Sequence, residues 1–520
     1  MITYEDIRTA AKIALLLTVA YSLAVISYNI VLHPLRHYPG PLVAKFTDCY
    51  AGFYALSMRL HLATYQDHKR YGSIIRHGPN RLVFNSPTAL NDIYRNERVT
   101  KSYVYTLIRQ PNGIPSIFGA IDRQRHAIKR KLIGRAVNDQ SMRTFEPTLQ
   151  EQVDVFLRIL YDSSRTSSPV EMSRCCKRLG LDVVGHLAFG FDLKTQTEPT
   201  YRFMGDAIAK SGFRINMIFQ LPLVQNKIFD LVLHYFSRNQ RLEYNRALQH
   251  IISTRLSIEK DAKHDLYSIV ADSINTGGAD GIQLGELWSE AVFFFPAGGD
   301  TTSTAMSALF FYLSRNSESY DKLTREIRNT FSDVSEIRGG QKLSGCRYLR
   351  ACIDEALRMS SPVSGTPWRE IAKEEQANGL WIVDGHVIPP GTQVGVNIYS
   401  LHHNEEYFPK PFAFRPERWL TEDPDALRSM NNAFTPFSVG YRGCAGKAMA
   451  YLESSLVVAK TLWYFDFSKV PGDTTGAGSP GRSDGRDHQE EFQICDTFNA
   501  SHDGPNLLFT PREIASKDLA

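Results

Sequence analysis

The chain has 520 residues, 43% of them hydrophobic and 22% charged, which is ordinary for a large folded protein and excludes a disordered or fibrous chain. The formal net charge is only +4, and no zinc-finger, helix-turn-helix or RNA-binding pattern occurs, so we expect no nucleic-acid partner. The seven cysteines are scattered, odd in number and without a CxxC pair, which argues against a disulfide framework or a zinc cluster and favours a reducing compartment.

The first predicted element is an apolar helix near the N-terminus. From Ile13 to Leu32, twenty residues carry no charge and sixteen are apolar. At about 1.5 Å per residue, such a helix spans the roughly 30 Å hydrocarbon core of a bilayer. A cleaved signal peptide, whose apolar region is normally shorter, and a buried helix of the soluble body are the alternatives. We expect residues 1–33 to form a retained membrane anchor and residues 34–520 to form the main domain.

Beyond the anchor, the pattern predicts helices first and a small sheet region later. The prolines of "HPLRHYPGP" cannot continue the helix and indicate a stiff link. Up to about residue 360 the pattern is mostly helical, with a short strand-like stretch near Ile74–Phe84. From 360 to 420, "GLWIVDGHVIPPGTQVGVNIYSLH" alternates and carries turn signals, which is typical of short strands. The predicted fold class is therefore mainly α (α+β): a large helical domain with a small β-rich region, preceded by one transmembrane helix.

A glycine-rich loop, "FSVGYRGCAG", surrounds Cys444 and runs directly into a segment with apolar residues at helical spacing. The sulfur therefore lies near a helix N-terminus, where the helix dipole and free N–H groups favour a thiolate. Its glycines let the backbone approach a flat ligand closely, and Arg442 offers a cation to an anionic group. A thiolate, a flat ligand and an anion together suggest haem, whose iron accepts an axial cysteine.

The loop also matches the signature FxxGxRxCxG at each fixed position, and so the chain resembles the cytochrome P450 superfamily. "HPLRHYPGP" and "GCAGKAMAYLE" are similar to fungal microsomal members that oxidise secondary metabolites. The resemblance implies the cytochrome P450 fold and haem b with Cys444 as the axial thiolate and the metal ligand. It also implies haem contacts from Phe437, Arg442 and Gly446.

Two further segments, "EALR" and "FRPERW", stand in the order that the resembled family has. An ExxR pair alone is an ordinary ion pair between neighbouring turns of a helix. The resemblance implies that Glu355 and Arg358 join Arg418 in a buried triad whose role is structural.

The segment "FFFPAGGDTTSTAM" lies inside a long predicted helix. Pro296 has no N–H, so the carbonyl of Val292 loses its partner and the helix should bend or open there. An ordinary core helix with a tolerated kink is the alternative. The segment resembles the family's oxygen-activation motif, (A/G)Gx(D/E)T(T/S), which implies that Thr301 hydrogen-bonds dioxygen and that Asp300 helps to relay protons.

The segment "IDRQRHAIKRKLIGR" is strongly basic, and a solvated helix face is its simplest interpretation. The resemblance implies instead that Arg130 binds a haem propionate, although His126 replaces the tryptophan that the family often has before this arginine. Arg369 in "PWRE" matches another position where the family often has a propionate-binding arginine. The remaining charges would dock an acidic reductase.

The resemblance implies a monooxygenase that hydroxylates a lipophilic small molecule with electrons from NADPH. They would come through a separate NADPH–cytochrome P450 reductase, with cytochrome b5 as an optional second donor. The expected location is the endoplasmic reticulum membrane, single-pass, with the catalytic domain in the cytosol. Oxidative phenol coupling by the same haem is one alternative. A non-catalytic haem-binding or scaffold protein is another, and the intact Asp300–Thr301 pair argues against it.

The substrate itself cannot be deduced from these patterns. The resemblance in position suggests pocket residues at Ala297, Thr301, Ile114–Phe118 and Ser364–Thr366. The apolar segment Phe213–Leu223 fits an entrance near the membrane and an ordinary core helix equally well.

Overall fold

The computed structural model describes residues 3–108, 113–222, 227–263, 265–270 and 284–519. In these residues a long N-terminal helix precedes a body of packed helices and three small sheets. The predicted mainly helical α+β architecture with one apolar N-terminal helix is confirmed.

The α-helices follow one another along the described chain with short 3₁₀ and π-helical turns between them. Those of the N-terminal half are α1 (Tyr4–Ser27), α2 (Leu42–Phe46), α3 (Cys49–Leu56), α4 (Leu60–Tyr71), α5 (Pro87–Tyr94), α6 (Arg123–Ala136), α7 (Asp139–Arg165), α8 (Met172–Phe189), α9 (Phe203–Gln220) and α10 (Lys227–Leu256). Those of the C-terminal half are α11 (Leu266–Val270), α12 (Leu284–Phe294), α13 (Thr301–Arg315), α14 (Ser317–Thr330), α15 (Gln341–Ser344), α16 (Arg347–Met359), α17 (Ile398–His402), α18 (Pro424–Ala433), α19 (Lys447–Tyr464) and α20 (Glu513–Asp518).

The strands are short and form three separate sheets. They are β1 (Ile74–Gly78), β2 (Arg81–Phe84), β3 (Val99–Lys101), β4 (Val170–Glu171), β5 (Arg369–Ile371), β6 (Trp381–Val383), β7 (His386–Ile388), β8 (Gln393–Val396), β9 (Phe465–Lys469) and β10 (Asn506–Pro511). The five-stranded sheet has the order β1-β2-β8-β5-β3, with β2 and β8 parallel and the other neighbours antiparallel. A three-stranded sheet has the order β4-β10-β9, and β6 and β7 form a hairpin.

The predicted strands are present, but β3 and β4 were not expected in the helical part of the chain. Both are very short, and each pairs with a strand far away in sequence, β3 with β5 and β4 with β10. Their formation depends on tertiary contacts rather than on a local alternating pattern, because a two- or three-residue segment has too little pattern to detect.

The N-terminal helix begins earlier than its apolar run, at Tyr4, where Thr3 forms a capping box with Asp6. The helical segment Tyr4–Leu32 is long and apolar enough to cross a membrane, with a mean hydropathy of 2.0 in its most apolar stretch. No residue of α1 is buried. The alternative of a core helix of the soluble body is therefore wrong.

The end of this helical segment is bonded to the body. The guanidinium of Arg76 on β1 donates to the backbone carbonyl of Asn29 at 2.8 Å and to the Asn29 side-chain Oδ1 at 3.1 Å. His33 Nε2 lies 2.9 Å from Asn80 Oδ1 in the turn after β1. The residues around the predicted anchor boundary thus make specific contacts with the five-stranded sheet.

A long interrupted helix runs through the centre of the body. Between α12 and α13, residues Phe295–Asp300 form a π-helical turn that contains Pro296, so the opening expected at this proline is confirmed. Every residue of α13 from Thr302 to Leu313 is buried. A Cβ atom added to Gly180 of α8 would lie only 2.5 Å from a carbonyl oxygen of this turn, so the two backbones pack in direct contact.

Candidate active site

The cysteine loop folds back on itself before α19 begins at Lys447. The Cys444 N–H donates to the Phe437 carbonyl at 2.8 Å, which holds the loop closed beneath the sulfur. Gly440 has a φ of +76°, and a side chain there would collide with the carbonyl of Tyr94. The glycine is therefore required both for its left-handed backbone and for a close approach.

The Cys444 thiol faces an internal cavity. Burial raises the pKa of this thiol, while the Gly446 N–H, Arg130 and Lys447 lower it. The helix terminus expected to favour a thiolate is present, but in the protein alone the effect of burial on the pKa is larger than that of the N–H group and the two cations. A coordinated metal ion reverses this balance, because a thiol that ligates a metal loses its proton.

The cavity has a volume of about 360 Å³, and apolar side chains form most of its wall. The rings of Phe118 and Phe293 stack at 5.1 Å on one side, and Phe498 meets Phe118 edge-on at 5.0 Å. Phe498 has a φ of +75°, a backbone conformation that a bulky residue rarely adopts and that is found where a site constrains the chain. This volume and lining are typical of a site for an apolar small molecule.

A second part of the cavity wall is strongly basic. It contains five groups from four distant segments of the chain, namely Lys101, His126, Arg130, Arg369 and Arg442. Among the described residues, no carboxylate forms an ion pair with any of them at hydrogen-bonding distance.

The arginines of this basic cluster are held by neutral carbonyl groups. Arg442 donates to the carbonyl oxygens of Ala120 at 2.5 Å and Ile121 at 2.6 Å. Arg130 donates to the carbonyl of Gly443 at 2.7 Å, which ties α6 to the cysteine loop. These bonds orient the guanidinium groups but do not neutralise their charge.

Burial and neighbouring positive charges lower the pKa values of two members of the basic cluster. Burial, followed by the charges of Arg442 and Lys101, lowers the pKa of His126 to about 3. Burial and the neighbouring charges of Arg369 and Arg442 also hold the pKa of Lys101 well below its usual value. A desolvated group of like charges is costly unless an anion shares the site.

The predicted oxygen motif opens onto the same cavity. Thr301 Oγ1 donates to the Ala297 carbonyl at 2.6 Å, and Thr302 Oγ1 donates to the Gly298 carbonyl at 2.6 Å. All four of these residues line the cavity. Both hydroxyls thus bond to carbonyl groups of the π-helical turn, where the regular helix is interrupted.

Asp300, in the same motif, points away towards α8 and forms an ion pair with Lys177 at 3.1 Å. Burial raises the pKa of Asp300, and Lys177 opposes that shift. The Lys177 side chain is 27% exposed while that of Asp300 is only 7% exposed, so the pair connects the buried motif to solvent.

The C-terminal segment also contacts the π-turn. Asn499 Nδ2 donates to the Pro296 carbonyl at 3.0 Å, and the Thr304 hydroxyl of α13 lies 3.2 Å from the Ala500 carbonyl oxygen. Asn499 therefore supports the opened helix and lines the cavity as well.

The three residues expected to form a buried triad are in contact. Glu355 and Arg358 lie on α16, and Arg418 reaches them from the segment before the cysteine loop. Glu355 accepts from Arg358 Nη2 at 2.9 Å and from Arg418 Nε at 3.0 Å, and Trp419 Nε1 donates to its other oxygen at 3.0 Å. Burial alone would raise the pKa of Glu355, but the two arginines outweigh it and the pKa lies below the ordinary value. The carboxylate is thus fully paired, as a buried charge must be.

Only some of the predicted pocket residues line the cavity. Ala297, Thr301 and the end of Ile114–Phe118 do so. Ser364–Thr366 do not line it, but the neighbouring Pro362, Val363 and Pro367 do. In Phe213–Leu223, residues Met217, Ile218 and Phe219 are buried, which favours the core-helix interpretation; Leu223 lies outside the described residues.

Several residues of the site were missed from the sequence, namely Lys101, Lys177, Glu453, Phe498 and Asn499. None of them belongs to a short motif, and each reaches the site through tertiary folding. The replacement of the expected tryptophan by His126 was noticed, but only the structure shows this side chain among four cations.

The residues present fit a haem on the evidence of the basic cluster. A deep cavity that has a thiol on its wall and, among the described residues, a group of basic side chains without a paired carboxylate is matched by an iron porphyrin, which needs an axial ligand and carries two carboxylates. The apolar wall suits the remainder of the ring system.

Comparison with known proteins agrees with this geometry. The family "Cytochrome P450" matches residues 40–478. The chain is 35% identical to cytochrome P450 monooxygenase poxM of Penicillium oxalicum over 96% of this chain and 94% of that protein. It is 33% identical to cytochrome P450 monooxygenase AKT7 of Alternaria alternata, over 95% and 96% of the two chains. It is also 32% identical to the trichothecene C-15 hydroxylase of Fusarium sporotrichioides, over 87% and 91%.

The family match covers most of the chain, and the relatives align along almost their whole length. Members of the family hold haem through a thiolate, receive electrons from a redox partner and act on small molecules. The chain belongs to the cytochrome P450 family and is a monooxygenase similar to fungal enzymes of secondary metabolism.

Proposed function

We propose that this protein hydroxylates a lipophilic small molecule in fungal secondary metabolism, using dioxygen and electrons from NADPH that arrive through a separate reductase. The observation that carries the proposal is the cavity itself: the Cys444 thiol, the Thr301 hydroxyl and an aromatic wall face one enclosed, mainly apolar space. The similarity to the trichothecene C-15 hydroxylase, a relative over most of the chain, supports hydroxylation over other oxidations.

In this proposal Cys444 is the axial ligand of haem b, and the bound haem supplies the activation of dioxygen. Arg130, Arg369 and Arg442 bind its propionates, because they are the arginines that line the cavity and form no ion pair with a carboxylate of the described residues. Phe437 and Gly446 pack beside the ring on the cysteine side, where both line the cavity.

Asp300 and Thr301 are proposed to serve proton delivery. Lys177 is partly exposed and paired with buried Asp300, so a proton can pass from solvent to the Asp300 carboxylate when the pair opens. Thr301 holds its hydroxyl on the Ala297 carbonyl, from which it can rotate to donate a hydrogen bond into the cavity. Glu355, Arg358 and Arg418 hold α16 against the segment before the cysteine loop and take no part in the chemistry.

For the whole chain, we propose a single-pass anchor within residues 1–33 and a haem-thiolate catalytic domain in residues 34–520. The exposed apolar helix supports the anchor, and the scattered free cysteines support a cytosolic catalytic domain on the endoplasmic reticulum membrane. The proposed electron donors are NADPH–cytochrome P450 reductase and, optionally, cytochrome b5.

The test compares extracts of the fungal source with and without the gene by mass spectrometry. A lost product heavier than the accumulated precursor by one oxygen atom supports hydroxylation and identifies the substrate. A lost product equal to two precursors minus two hydrogens would replace hydroxylation with phenol coupling. Unchanged extracts, together with no NADPH oxidation by the purified protein and reductase, would favour a non-catalytic haem-binding protein.

A further inference from the structure

A short loop near the C-terminus carries two residues of the cavity wall. The backbone groups of Cys495 and Ser501 bond to each other at 2.7 and 3.0 Å, which closes the loop Asp496–Ala500. Phe498 and Asn499 of this C-terminal loop line the cavity. The function proposed above assigns no role to the residues that hold the loop in place.

The ring of Phe498 is the part of the C-terminal loop that shapes the apolar wall. It meets Phe118 edge-on at 5.0 Å and Phe219 of α9 edge-on at 5.5 Å. Its φ of +75° is unfavourable for a bulky side chain, and a backbone of this kind persists only where the surrounding contacts enforce it. The bonds on both sides of Phe498 must therefore hold the ring in the wall.

On the C-terminal side of Phe498, the loop is bonded to segments beside the oxygen motif. Asn499 Nδ2 donates to the Pro296 carbonyl at 3.0 Å, and the Ala500 N–H donates to the Pro362 carbonyl at 2.7 Å. Neither bond involves α9, so this side of the loop is fixed independently of that helix.

On the N-terminal side of Phe498, a buried pair of polar side chains joins the loop to α9. Asn216 Nδ2 donates to the backbone carbonyl of Asp496 at 2.8 Å and to the Asp496 Oδ1 at 3.3 Å. The Asp496 N–H donates to the Met58 carbonyl at 2.9 Å, just beyond α3. Asn216 is 3% exposed and Asp496 is 2% exposed, so solvent does not compete for these bonds. The amide of Asn216 thus fixes both the backbone and the side chain of Asp496.

The carboxylate of Asp496 also acts on the backbone that carries Phe498. Burial raises the pKa of Asp496 to about 6, and the backbone N–H groups of Phe498 and His61, followed by the charge of Arg486, oppose that rise. The His61 ring lies 4.0 Å from Asp496 Oδ2, but burial holds the pKa of His61 well below its usual range, so the two form no ion pair. The loop therefore needs a hydrogen-bond acceptor at this position rather than a negative charge.

The backbone of α9 packs directly on the same loop. A Cβ atom added to Gly212, one turn before Asn216, would lie only 2.6 Å from the Thr497 carbonyl oxygen. A side chain at Gly212 would push the loop away from the helix, because a backbone oxygen cannot yield as the end of a flexible side chain can. The position of the loop thus depends on close contact with α9.

We propose that Asn216 and Asp496 are specificity-determining positioning residues: the hydrogen bonds between them hold the C-terminal loop on α9 and keep the Phe498 ring in the cavity wall, where it sets the width available to an apolar substrate. Neither Asn216 nor Asp496 lines the cavity, so both act through Phe498. The inference rests on the proposed monooxygenase function and adds a determinant of which small molecules the cavity accepts.

The first test compares two probes that bind haem iron through the same kind of nitrogen. They are imidazole and 4-phenylimidazole, whose phenyl ring needs additional apolar space. Optical titration of the full-length haem protein measures both dissociation constants. Asp496→Ala should weaken the binding of 4-phenylimidazole by about three- to tenfold, as expected for one lost aromatic contact, and leave that of imidazole unchanged. Asp496→Asn keeps an acceptor at Oδ1 and should bind both probes as the native protein does.

A double variant tests whether Asp496 acts through Phe498. Phe498→Ala should weaken the binding of 4-phenylimidazole to about the same extent as Asp496→Ala. The variant with both substitutions should show no further loss, because the same contact can be removed only once. Losses that multiply in the double variant would overturn the inference, and so would native binding of 4-phenylimidazole by Asp496→Ala.

Further variants separate the loop attachment from a general loss of stability. Asn216→Ala and Gly212→Ala disturb the attachment from α9 and should reproduce the selective loss. Asp182→Ala is the matched control: Asp182 is similarly buried and accepts from the N–H groups of Thr195 and Gln196 at 2.8 and 3.0 Å, but none of the three lines the cavity. This control should bind both probes as the native protein does, and a selective loss in it would contradict the inference.

Enzyme activity provides a separate readout. With the substrate identified by the comparison of extracts, Asp496→Ala should raise KM by about three- to tenfold and change kcat by less than about twofold. An unchanged KM would contradict the inference. A native protein that binds both azoles but oxidises no substrate would overturn the proposed function instead, and the probe titrations would still test the loop.

Discussion

At the scale of single residues, Cys444 is the proposed ligand of the haem iron. Burial raises the pKa of this thiol, and the Gly446 N–H, Arg130 and Lys447 oppose that rise. Because a thiol that ligates a metal loses its proton, haem uptake through Cys444 should be accompanied by proton release. Cys444 would hold the iron as a thiolate, and the bound haem would supply the activation of dioxygen.

This role makes a direct prediction for Cys444→Ala. The variant should lose the absorption of the reduced, carbon monoxide-bound thiolate-haem and all product formation, because no other described cysteine lines the cavity. Cys49→Ala is the control, since Cys49 is an exposed cysteine on α3 and the substitution should leave the spectrum unchanged. A native spectrum in Cys444→Ala would contradict the assigned ligand.

A second prediction at this scale concerns Lys177, whose charge partly offsets the effect of burial on Asp300. In Lys177→Met that offset is lost, so the pKa of Asp300 should rise further and the carboxylate should be protonated up to a higher pH. The acidic limb of the rate profile, where Asp300 must be ionised to accept a proton from solvent, should move to higher pH.

Measurement of product formation against pH checks this shift, with Lys177→Arg as the charge-preserving control. The arginine variant should keep the native profile. Identical profiles for the methionine variant and the native enzyme would show that the ion pair plays no part in proton delivery.

At the scale of elements, the triad joins α16 to the segment that precedes the cysteine loop. Glu355→Ala leaves two buried guanidinium groups without their anion, and breaking a buried pair in this way typically costs about 3–5 kcal/mol. We expect a large drop in melting temperature and poor haem retention. Glu318→Ala removes an exposed partner of Lys322 and should leave the melting temperature almost unchanged, because solvent screens an exposed ion pair. Equal melting temperatures for the two variants would contradict a supporting role for the triad.

Some elements of the fold and of the site can be predicted from the sequence, and others cannot. The cysteine loop, the oxygen motif and "EALR" are contiguous, so their residue types and spacings are visible before folding. The opening at Pro296 was also predictable, because the missing N–H is a local property. Lys101, Lys177 and Asn499 were not predictable, since each reaches the site from a distant strand, helix or loop and carries no local signal. The strands β3 and β4 were missed for the same reason.

At the scale of the whole molecule, the apolar N-terminal segment and the body are joined more closely than an apolar run alone suggests. No residue of α1 is buried, yet Asn29 and His33, just beyond it, contact the five-stranded sheet. Arg76 is fully buried, and among the described residues its guanidinium donates to Asn29 and to the carbonyl of Pro79. The end of the apolar N-terminal segment thus satisfies a buried cation of the body.

Two truncations should therefore behave differently. Removal of residues 1–27 takes away α1 and should release the protein from membranes while leaving the Arg76 contacts intact. Removal of residues 1–33 also deletes Asn29. It should lower the free energy of unfolding further, by about 1–3 kcal/mol, which is the usual cost of leaving a buried donor unsatisfied.

Thermal melting of the two soluble proteins, with Asn29→Ala in the shorter truncation as the matched control, measures this difference. The control should retain part of the stability, because the Asn29 carbonyl still accepts from Arg76 at 2.8 Å when the side chain is gone. Equal melting temperatures for both truncations would place the functional boundary of the catalytic domain at residue 34, as the pattern of prolines alone suggests. A lower melting temperature for the longer deletion would instead show that the end of the apolar N-terminal helix belongs to the catalytic domain.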